Sequence, residues 1–184
     1  MFCKELKVCL FISRNKDNRD VVDFKERKKS FVTTKSIDDL KNEFDSFVNV
    51  GRFGEVSRFY ISVNGRDNKK IQKSLQHYLL DNVLDLSKID SKIASIASKP
   101  ENALEHKWLF DCDFDNVHNM NDFERDVRES LTCEYDEIVR YKTMSGYALV
   151  VPHGFDARVV LSCWPNVELK RDGMLLCDYN AKIF

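Results

Sequence analysis

Residues 106–116, HKWLFDCDFDN, place three acidic side chains at alternate positions directly after an apolar run. Asp111, Asp113 and Asp115 follow the apolar residues 108–110. An apolar run of this length predicts a β-strand leaving a buried core, and residues two apart on a strand point to the same side. Carboxylates on one side repel each other, so water or a cation has to balance their charge.

The segments around this strand predict the element order β-α-β-β-α-β over residues 105–180. The first strand is followed by a helix, two strands joined by a tight turn at residues 145–146, a second helix, and one strand or a hairpin turning at residues 172–173. The segments are KWLFDCDF, NDFERDVRESL, YDEIVRYKTM, YALVVP, FDARVVLSCW and VELKRDGMLLCDY. This order is the split β-α-β pattern of ferredoxin-like and RNA-recognition-motif-like domains, with the first strand central in the sheet.

The first hundred residues predict an α/β portion with the order ββαβαα. Its clearest helix has Ser36 as N-cap, apolar residues at helical spacing, and Gly51 at its end. Pro100 closes the last helix of this portion and marks the junction. The predicted fold class is therefore α+β, with an N-terminal α/β portion at 1–100 packed on the core at 101–184 in one compact unit.

The charge balance limits the functional classes. The chain has 184 residues, of which 29 are basic and 30 acidic, for a net charge of −1. Any nucleic-acid-binding surface must then be a local patch, because the chain as a whole is not basic. The sequence contains no Gly-rich phosphate loop of the Walker or Rossmann type and no G-x-S-x-G elbow. Hydrolase and dehydrogenase functions therefore lack support.

The cysteines and apolar runs predict the compartment. Six cysteines occur without a C-x-x-C pair, which favours a reducing cytoplasm and no disulfide framework. The longest apolar run, YALVV, is far too short to span a bilayer. We therefore expect a cytoplasmic protein with no membrane partner.

Asp111 and Asp113 are suited to bind a hard divalent cation. Carboxylates are preferred ligands of Mg²⁺ and Mn²⁺. Two such ions can activate a 3′-hydroxyl and stabilise the leaving pyrophosphate in phosphoryl transfer. The spacing is equally compatible with acids that cap the next helix and face water, because D-x-D is common in loops.

A second segment, YKTMSGYALVVPHGF at 141–155, leads to a family resemblance. Together with WLFDCDFD it resembles the archaeo-eukaryotic primase superfamily, the primase-polymerases. Members carry a hydrophobic D-x-D strand, a Ser-Gly-x-His strand and a later acidic strand on an RNA-recognition-motif-like core. The chain looks especially like small phage-encoded proteins with the order RFYISVNGRD, acidic strand, T-x-x-G-Y-H hairpin and K-D-G-x-x-L-L strand. The resemblance covers roughly residues 55–180.

The resemblance implies a metal-dependent nucleotidyltransferase site. It assigns Asp111 and Asp113 to the pair that binds catalytic Mg²⁺ or Mn²⁺. The third catalytic acid would be Asp178, with Glu168 as the second choice. The implied partner is a nucleotide or a nucleic acid.

The resemblance also implies which residues would contact the nucleotide, namely those of the hairpin in segment 141–155. Ser145 and Gly146 match its turn, and position 148 should hold a histidine that contacts a phosphate. This chain has Ala148 there. We therefore predict a nucleotide- or nucleic-acid-binding protein with weak or absent polymerase activity. The alternatives are an active primase or polymerase, and a phage protein that binds a host protein to counter host defences.

Basic residues supply further phosphate-binding candidates. Arg66 lies in NGRDNKK at a strand-to-helix junction, where backbone N–H groups favour phosphate. The cluster KERKK at 25–29 could contact a nucleic-acid backbone. Solvated surface positions explain both clusters as well. Residues that could compensate for the missing histidine are Arg140, Lys142, Arg158 and Lys170.

Overall fold

The computed structural model describes residues 5–131, 137–144 and 146–182. The strands are β1 (Lys7–Ser13), β2 (Arg27–Thr33), β3 (Val56–Ser62), β4 (Trp108–Cys112), β5 (Val139–Lys142), β6 (Tyr147–Val151), β7 (Val167–Lys170) and β8 (Met174–Ala181). The helices are α1 (Ile37–Asn49), α2 (Asn68–Asp81), α3 (Ile89–Ala97), α4 (Val117–Ser130) and α5 (Arg158–Cys163). Short 3-10 helices cover Asn15–Asp17, Leu86–Lys88 and Pro100–Asn102. The described residues form an α+β fold with two antiparallel four-stranded sheets, which confirms the predicted class.

The first sheet has the strand order β2-β1-β3-β8. One of its faces holds an aromatic cluster, in which Phe11 of β1 packs against Phe44 of α1 and Phe59 of β3. The ring centroids are 5.4 and 5.1 Å from that of Phe11. The other face packs against α2 and α3, through a cluster that includes Val8 and Ile71. Burial on both faces explains why β1 is almost continuously apolar rather than alternating.

Helix α1 forms where its local sequence predicts it. The Ser36 hydroxyl accepts the Asp39 N–H at 3.2 Å, and the Asp39 carboxylate accepts the Ser36 N–H at 3.2 Å. This reciprocal capping box satisfies two backbone donors at the helix start. Leu40, Phe44 and Val48 recur every four residues and are buried on one face. The predicted helix start and apolar face are therefore confirmed.

The second sheet has the strand order β5-β6-β4-β7, and its elements follow one another as β4-α4-β5-β6-α5-β7. Strand β4 is central and antiparallel to both neighbours. Phe110 and Cys112 face the helices, where Phe110 packs against Phe123 of α4 at 5.5 Å between centroids. The alternate residue Leu109 points the other way and joins the cluster shared with the first sheet. The prediction that the acidic stretch begins as a sheet strand is confirmed.

The last two strands belong to different sheets. Strand β7 pairs with β4, whereas β8 pairs with β3. The expectation of one strand or a hairpin across residues 167–179 is therefore wrong. The chain crosses at residues 171–173, where a Cβ on Gly173 would lie 2.8 Å from the Leu109 side chain, so the crossing packs tightly against β4. The proposed division at residue 100 stays a prediction, but β8 completes the N-terminal sheet.

Two element boundaries differ from the sequence expectations. The charged stretch 15–29 predicts a loop, but strand β2 begins within it at Arg27, which pairs in register with Ser13 of β1. Helix α4 begins at Val117, four residues before the expected start at 121. The Asn116 side chain caps it by accepting the Asn119 N–H at 2.9 Å.

The cysteines in the described part of the chain are free thiols, namely Cys9, Cys112, Cys163 and Cys177. Burial raises the pKa of Cys9, Cys112 and Cys177 to about 12 each. These three thiols therefore stay protonated and behave as small core side chains. No helix in the described ranges has both the length and the apolar character needed to cross a membrane.

Candidate functional site

A row of four residues crosses the face of the second sheet that α4 and α5 leave uncovered. Asp111 of β4 lies directly opposite Glu168 of β7 on one side and Ala148 of β6 on the other. Ala148 in turn lies opposite Tyr141 of β5. Directly opposed residues of antiparallel strands share a face, so Glu168, Asp111, Ala148 and Tyr141 form one line, which we call the acidic row.

Lys170 provides the cation beside the acidic row. Its Nζ lies 2.6 Å from Asp111 Oδ2 and 3.3 Å from Glu168 Oε2. Burial alone would lower the pKa of Lys170, but the hydrogen bond and negative charge of Asp111, together with Glu168, outweigh it and raise that pKa. Lys170 is therefore protonated at neutral pH. A lysine ammonium thus balances the two carboxylates that face each other across β4 and β7.

The three acids assigned to catalysis do not form one cluster. Asp113 follows the end of β4 and is exposed, and its N–H donates to the Asn166 carbonyl at 3.0 Å. Asp178 lies on β8 in the first sheet, opposite Phe59. Glu168, the second choice for the third acid, is the one that lies opposite Asp111.

These positions do not fit a pair of divalent cations as they stand. Lys170 already occupies the cation position beside Asp111, and Asp178 belongs to the other sheet. In the ranges that the structure describes, no three or more His, Cys, Asp or Glu side chains are arranged to hold a metal ion. Binding of Mg²⁺ or Mn²⁺ by Asp111 and Asp113 therefore stays a prediction.

The predicted hairpin turn lies against the end of β4. A Cβ on Gly146 would be 2.1 Å from the Cys112 carbonyl oxygen and 3.2 Å from Asp113 Cα, so only glycine fits there. The structure thus brings Gly146 next to the acidic stretch. Ser145, the other predicted turn residue, lies outside the described residues.

Lys142 lies on the opposite face from the acidic row. It is in register with Tyr147, which is in register with Cys112 on the helix-covered face. Its Nζ lies 4.0 Å from the centre of the Tyr147 ring, a cation–π contact. Its assignment to phosphate binding stays a prediction, but the structure does not bring it together with Asp111.

Arg66 is buried and has a carboxylate partner. Its side chain is 1% exposed, and its two terminal nitrogens lie 2.7 and 3.0 Å from the two Asp172 oxygens. Asn64 donates to the same carboxylate at 3.0 Å and to the Lys107 carbonyl at 3.0 Å. This network ties the end of β3 to the crossing between β7 and β8. The phosphate-binding role of Arg66 stays a prediction, whereas its structural role is visible.

A cleft of about 700 Å³ opens between the two sheets. Its walls are mainly apolar, formed by Ile37, Ile61, Val63, Val139, Val150, Pro152 and Leu175. Tyr141, the last residue of the acidic row, also lines it and is 38% exposed. The cleft therefore lies on the same sheet face as Asp111.

Three lysines from separate segments line this cleft, together with the acidic Glu5 and Glu137. Lys7 begins β1, Lys35 precedes α1 and Lys107 precedes β4. Each has an acidic neighbour: the Lys7–Glu5, Lys35–Glu43 and Lys107–Glu105 pairs measure 3.1, 2.5 and 2.8 Å. All three pairs are partly solvent-exposed, so water screens them and they are weak. These lysines can exchange a carboxylate for an anionic ligand.

Sequence reasoning did not identify these cleft residues. Lys7, Lys35 and Lys107 are far apart in the chain, and no local motif links them. Tyr141 lies at the start of the segment 141–155, but it belongs to none of the motifs recognised in that segment. Only the pairing of the strands places it beside Ala148 and Asp111.

We compared the chain with protein-family models, curated proteins and solved structures. No family model, no curated protein and no solved structure matches it. The resemblance of residues 55–180 to the primase-polymerases stays a prediction. Function therefore has to be inferred from the contacts of this chain.

Proposed function

We propose that the protein binds a nucleotide, free or at the end of a nucleic acid, in the cleft between its sheets and has little or no polymerase activity. The observation that carries this proposal is the composition of the cleft. Apolar walls and Tyr141 suit a base, and Lys7, Lys35 and Lys107 suit its phosphates. The volume of about 700 Å³ lies within the range of about 300–1,000 Å³ typical of small-molecule sites.

The topology of the second sheet supports a finer fold proposal. We propose that β4-α4-β5-β6-α5-β7 is an RNA-recognition-motif-like unit. Its strand order, β5-β6-β4-β7, places the first and third strands centrally and antiparallel, as the split β-α-β pattern requires. RNA-recognition motifs bind bases on the uncovered face of the sheet. In this chain the first sheet covers part of that face through Leu109, Ala148 and Val150, and leaves Asp111, Glu168 and Tyr141 at least partly exposed.

Two contacts argue against strong polymerase activity. Lys170 is bonded to Asp111, which would otherwise be a metal ligand. Ala148 stands where the resemblance implies a histidine, and it offers no hydrogen bond to a phosphate. One charge-assisted hydrogen bond is typically worth about 1.5–3 kcal/mol, and a lost transition-state contact can lower the rate about 10²–10³-fold.

The binding proposal is tested by titrating the purified protein with nucleoside triphosphates by calorimetry. We expect saturable binding, and at least about tenfold weaker binding by Lys35→Gln/Lys107→Gln, because two phosphate partners are lost. Tyr141→Ala should also weaken binding by removing the aromatic wall. Lys16→Gln/Lys41→Gln is the matched control, because it removes the same charge from exposed lysines that do not line the cleft, and it should bind like the wild type. Absence of saturable binding would refute the proposal, as would equal losses in the cleft and control variants.

The activity proposal is tested by primer extension and primer synthesis with Mg²⁺ or Mn²⁺. We expect no more than trace incorporation by the wild type. Robust template-dependent incorporation that Asp113→Asn abolishes would show that the chain is an active nucleotidyltransferase. Nucleotide binding without incorporation supports the proposed function.

A further inference from the structure

Helix α2 carries an exposed row of basic side chains. Lys69, Lys73 and His77 follow one another at intervals of four residues, which places them on one side of the helix about 6 Å apart along its axis. Lys73 and His77 line a shallow depression together with Lys99, which follows α3. Lys70 lies beside Lys69 in the first turn. We call Lys69, Lys70, Lys73, His77 and Lys99 the α2 basic face.

Within the described ranges, the lysines of this surface have no ion-pair partner, although Asp81 lines the same depression. Elsewhere many basic side chains are ion-paired, as in Lys7–Glu5, Arg27–Glu55, Arg58–Asp17, Lys107–Glu105, Arg128–Glu124 and Lys170–Asp111. Within the described part of the chain, Lys69, Lys70, Lys73 and Lys99 form no ion pair, and all four are exposed. The Asp67 carboxylate, at the helix start, accepts the backbone N–H groups of Lys69 and Lys70 instead.

The unbalanced charge is unfavourable for the isolated helix. Like charges at i and i+4 destabilise a helix by about 0.2–0.5 kcal/mol. The chain has one more acidic residue than basic residues, so the lack of ion pairs here does not come from a shortage of acids. A bound polyanion would remove this repulsion. The positive charges also lie on the polar side of α2, because Ile71, Leu75 and Tyr78 pack into the cluster shared with α3 and the first sheet.

Backbone bridges connect the segment before α2 to one end of the cleft. Arg66, two residues before the helix, forms backbone bridges with Leu6 and Ala103. Leu6 lies between Glu5 and Lys7, which both line the cleft. A chain of phosphates leaving the cleft at this end would pass Glu5 and then reach the first turn of α2.

We propose that the α2 basic face binds the phosphate backbone of a single-stranded nucleic acid whose end occupies the cleft. The choice of nucleic acid as the polyanion rests on the proposed function. An anionic membrane is the other surface that lysines can bind, but a membrane-bound helix inserts its apolar side. In α2 the apolar residues Ile71, Leu75 and Tyr78 already pack against α3 and the first sheet, and the exposed Leu79 and Leu80 lie at the opposite end of the helix from Lys69 and Lys70.

The test is binding of a fluorescent single-stranded 20-mer to the full chain, followed by anisotropy over a series of salt concentrations. The test variant is Lys69→Gln/Lys73→Gln/Lys99→Gln. The matched control is Lys16→Gln/Lys41→Gln/Arg52→Gln, which removes the same charge from exposed basic residues elsewhere that also form no ion pair within the described ranges. Circular dichroism melts establish that both variants are folded.

We expect the α2 variant to bind at least about tenfold more weakly at low salt, and the control variant to bind like the wild type. The slope of log affinity against log salt should fall by about 2 in the α2 variant, because each phosphate contact to a single strand contributes about 0.7. Equal losses in both triple variants would overturn the inference, as would an unchanged slope. Binding to phosphatidylserine vesicles without binding to the oligonucleotide would also overturn it.

The two proposals fail separately. Nucleoside triphosphate binding in the cleft should be unchanged in the α2 variant. Triphosphate binding without oligonucleotide binding would refute the α2 inference alone. Oligonucleotide binding through α2 without triphosphate binding would refute the cleft proposal alone.

Discussion

Lys170 holds together two carboxylates that would otherwise repel each other. Asp111 and Glu168 lie opposite each other on neighbouring strands, where like charges destabilise a sheet. The Lys170 ammonium contacts both, at 2.6 and 3.3 Å. It offsets the carboxylate charge, as a bound metal ion would. Because it is part of the chain, no translational freedom is lost when it makes these contacts.

Replacing Lys170 with methionine should convert this pair into a cation-responsive site. The variant keeps most of the side-chain length but loses the charge, so Asp111 and Glu168 should repel each other and Tm should fall. Millimolar Mn²⁺ should then raise the Tm of Lys170→Met and leave the wild type nearly unchanged. Each kcal/mol of linked binding raises Tm by about 2–4 °C for a chain of this size. Differential scanning fluorimetry measures both effects.

The control for this prediction is Lys170→Met/Asp111→Asn, which keeps only one of the two carboxylates and should lose the Mn²⁺ response. A Tm shift in the wild type at least as large as in Lys170→Met, abolished in Asp111→Ala/Asp113→Ala, would contradict it. That outcome would instead support the predicted metal pair.

The Arg66–Asp172 pair is a second residue-scale prediction. Arg66 is 1% and Asp172 13% exposed at the side chain, so removing one partner leaves a buried, uncompensated charge. Asp172→Ala should lower the free energy of unfolding by about 3–5 kcal/mol. Urea denaturation measures this. Asp122→Ala breaks the exposed pair with Arg125 and should change stability little, so equal losses would contradict the assignment.

At the scale of elements, one carboxylate fixes the β1–β2 connection to the first sheet. Asp17, at the end of the 3-10 helix after β1, accepts hydrogen bonds from Arg14 at 2.9 Å and from Arg58 of β3 at 2.7 and 2.8 Å. Burial alone would raise the pKa of Asp17, but the hydrogen bonds and charges of the two arginines outweigh it and lower that pKa. The ionised carboxylate therefore stabilises the folded state.

This lowered pKa predicts how stability depends on pH. The contribution is fully present above the unfolded pKa of about 3.9, and it is lost as pH falls through the lower folded pKa. Asp17→Asn should lower the free energy of unfolding by about 1.5–3 kcal/mol at pH 7, and this difference should shrink below about pH 4. Urea melts at several pH values measure it. Asp20→Asn, at an exposed neighbouring position, should show no such pH-dependent difference, and a constant difference for Asp17→Asn would contradict the prediction.

At the scale of the whole molecule, the two sheets share one core. Leu109 and Val150 of the second sheet pack in the same cluster as Phe11, Phe59 and Leu175 of the first. The chain also returns to the first sheet through β8, which pairs with β3. Neither sheet can therefore complete its packing alone.

We predict that the protein unfolds in a single transition. Both tryptophans, Trp108 and Trp164, report on the second half, whereas far-UV circular dichroism reports on helices in both halves. The two probes should give the same midpoint. Leu175→Ala, at a site 6% exposed, should lower stability by about 2–5 kcal/mol and shift both probes together. Separate transitions would contradict the shared core, and the exposed Leu80→Ala is the control.

Local sequence patterns determined much of the architecture. Ser36 and Asp39 specified the start of α1 through contacts three residues apart. The apolar run before Asp111 specified strand β4. The α+β class also followed from the chain, because hydrophobic period and turn residues act over a few positions.

Tertiary structure alone decided the contacts that define the candidate site. Lys170 contacts Asp111, which lies 59 residues away in the sequence, and Arg66 contacts Asp172, which lies 106 residues away. The cleft lysines come from three separate segments, and β8 leaves the neighbourhood of β7 for the first sheet. Periodicity in a sequence records which side of an element is buried. It does not record which distant element covers that side, because that choice depends on packing summed over the whole chain.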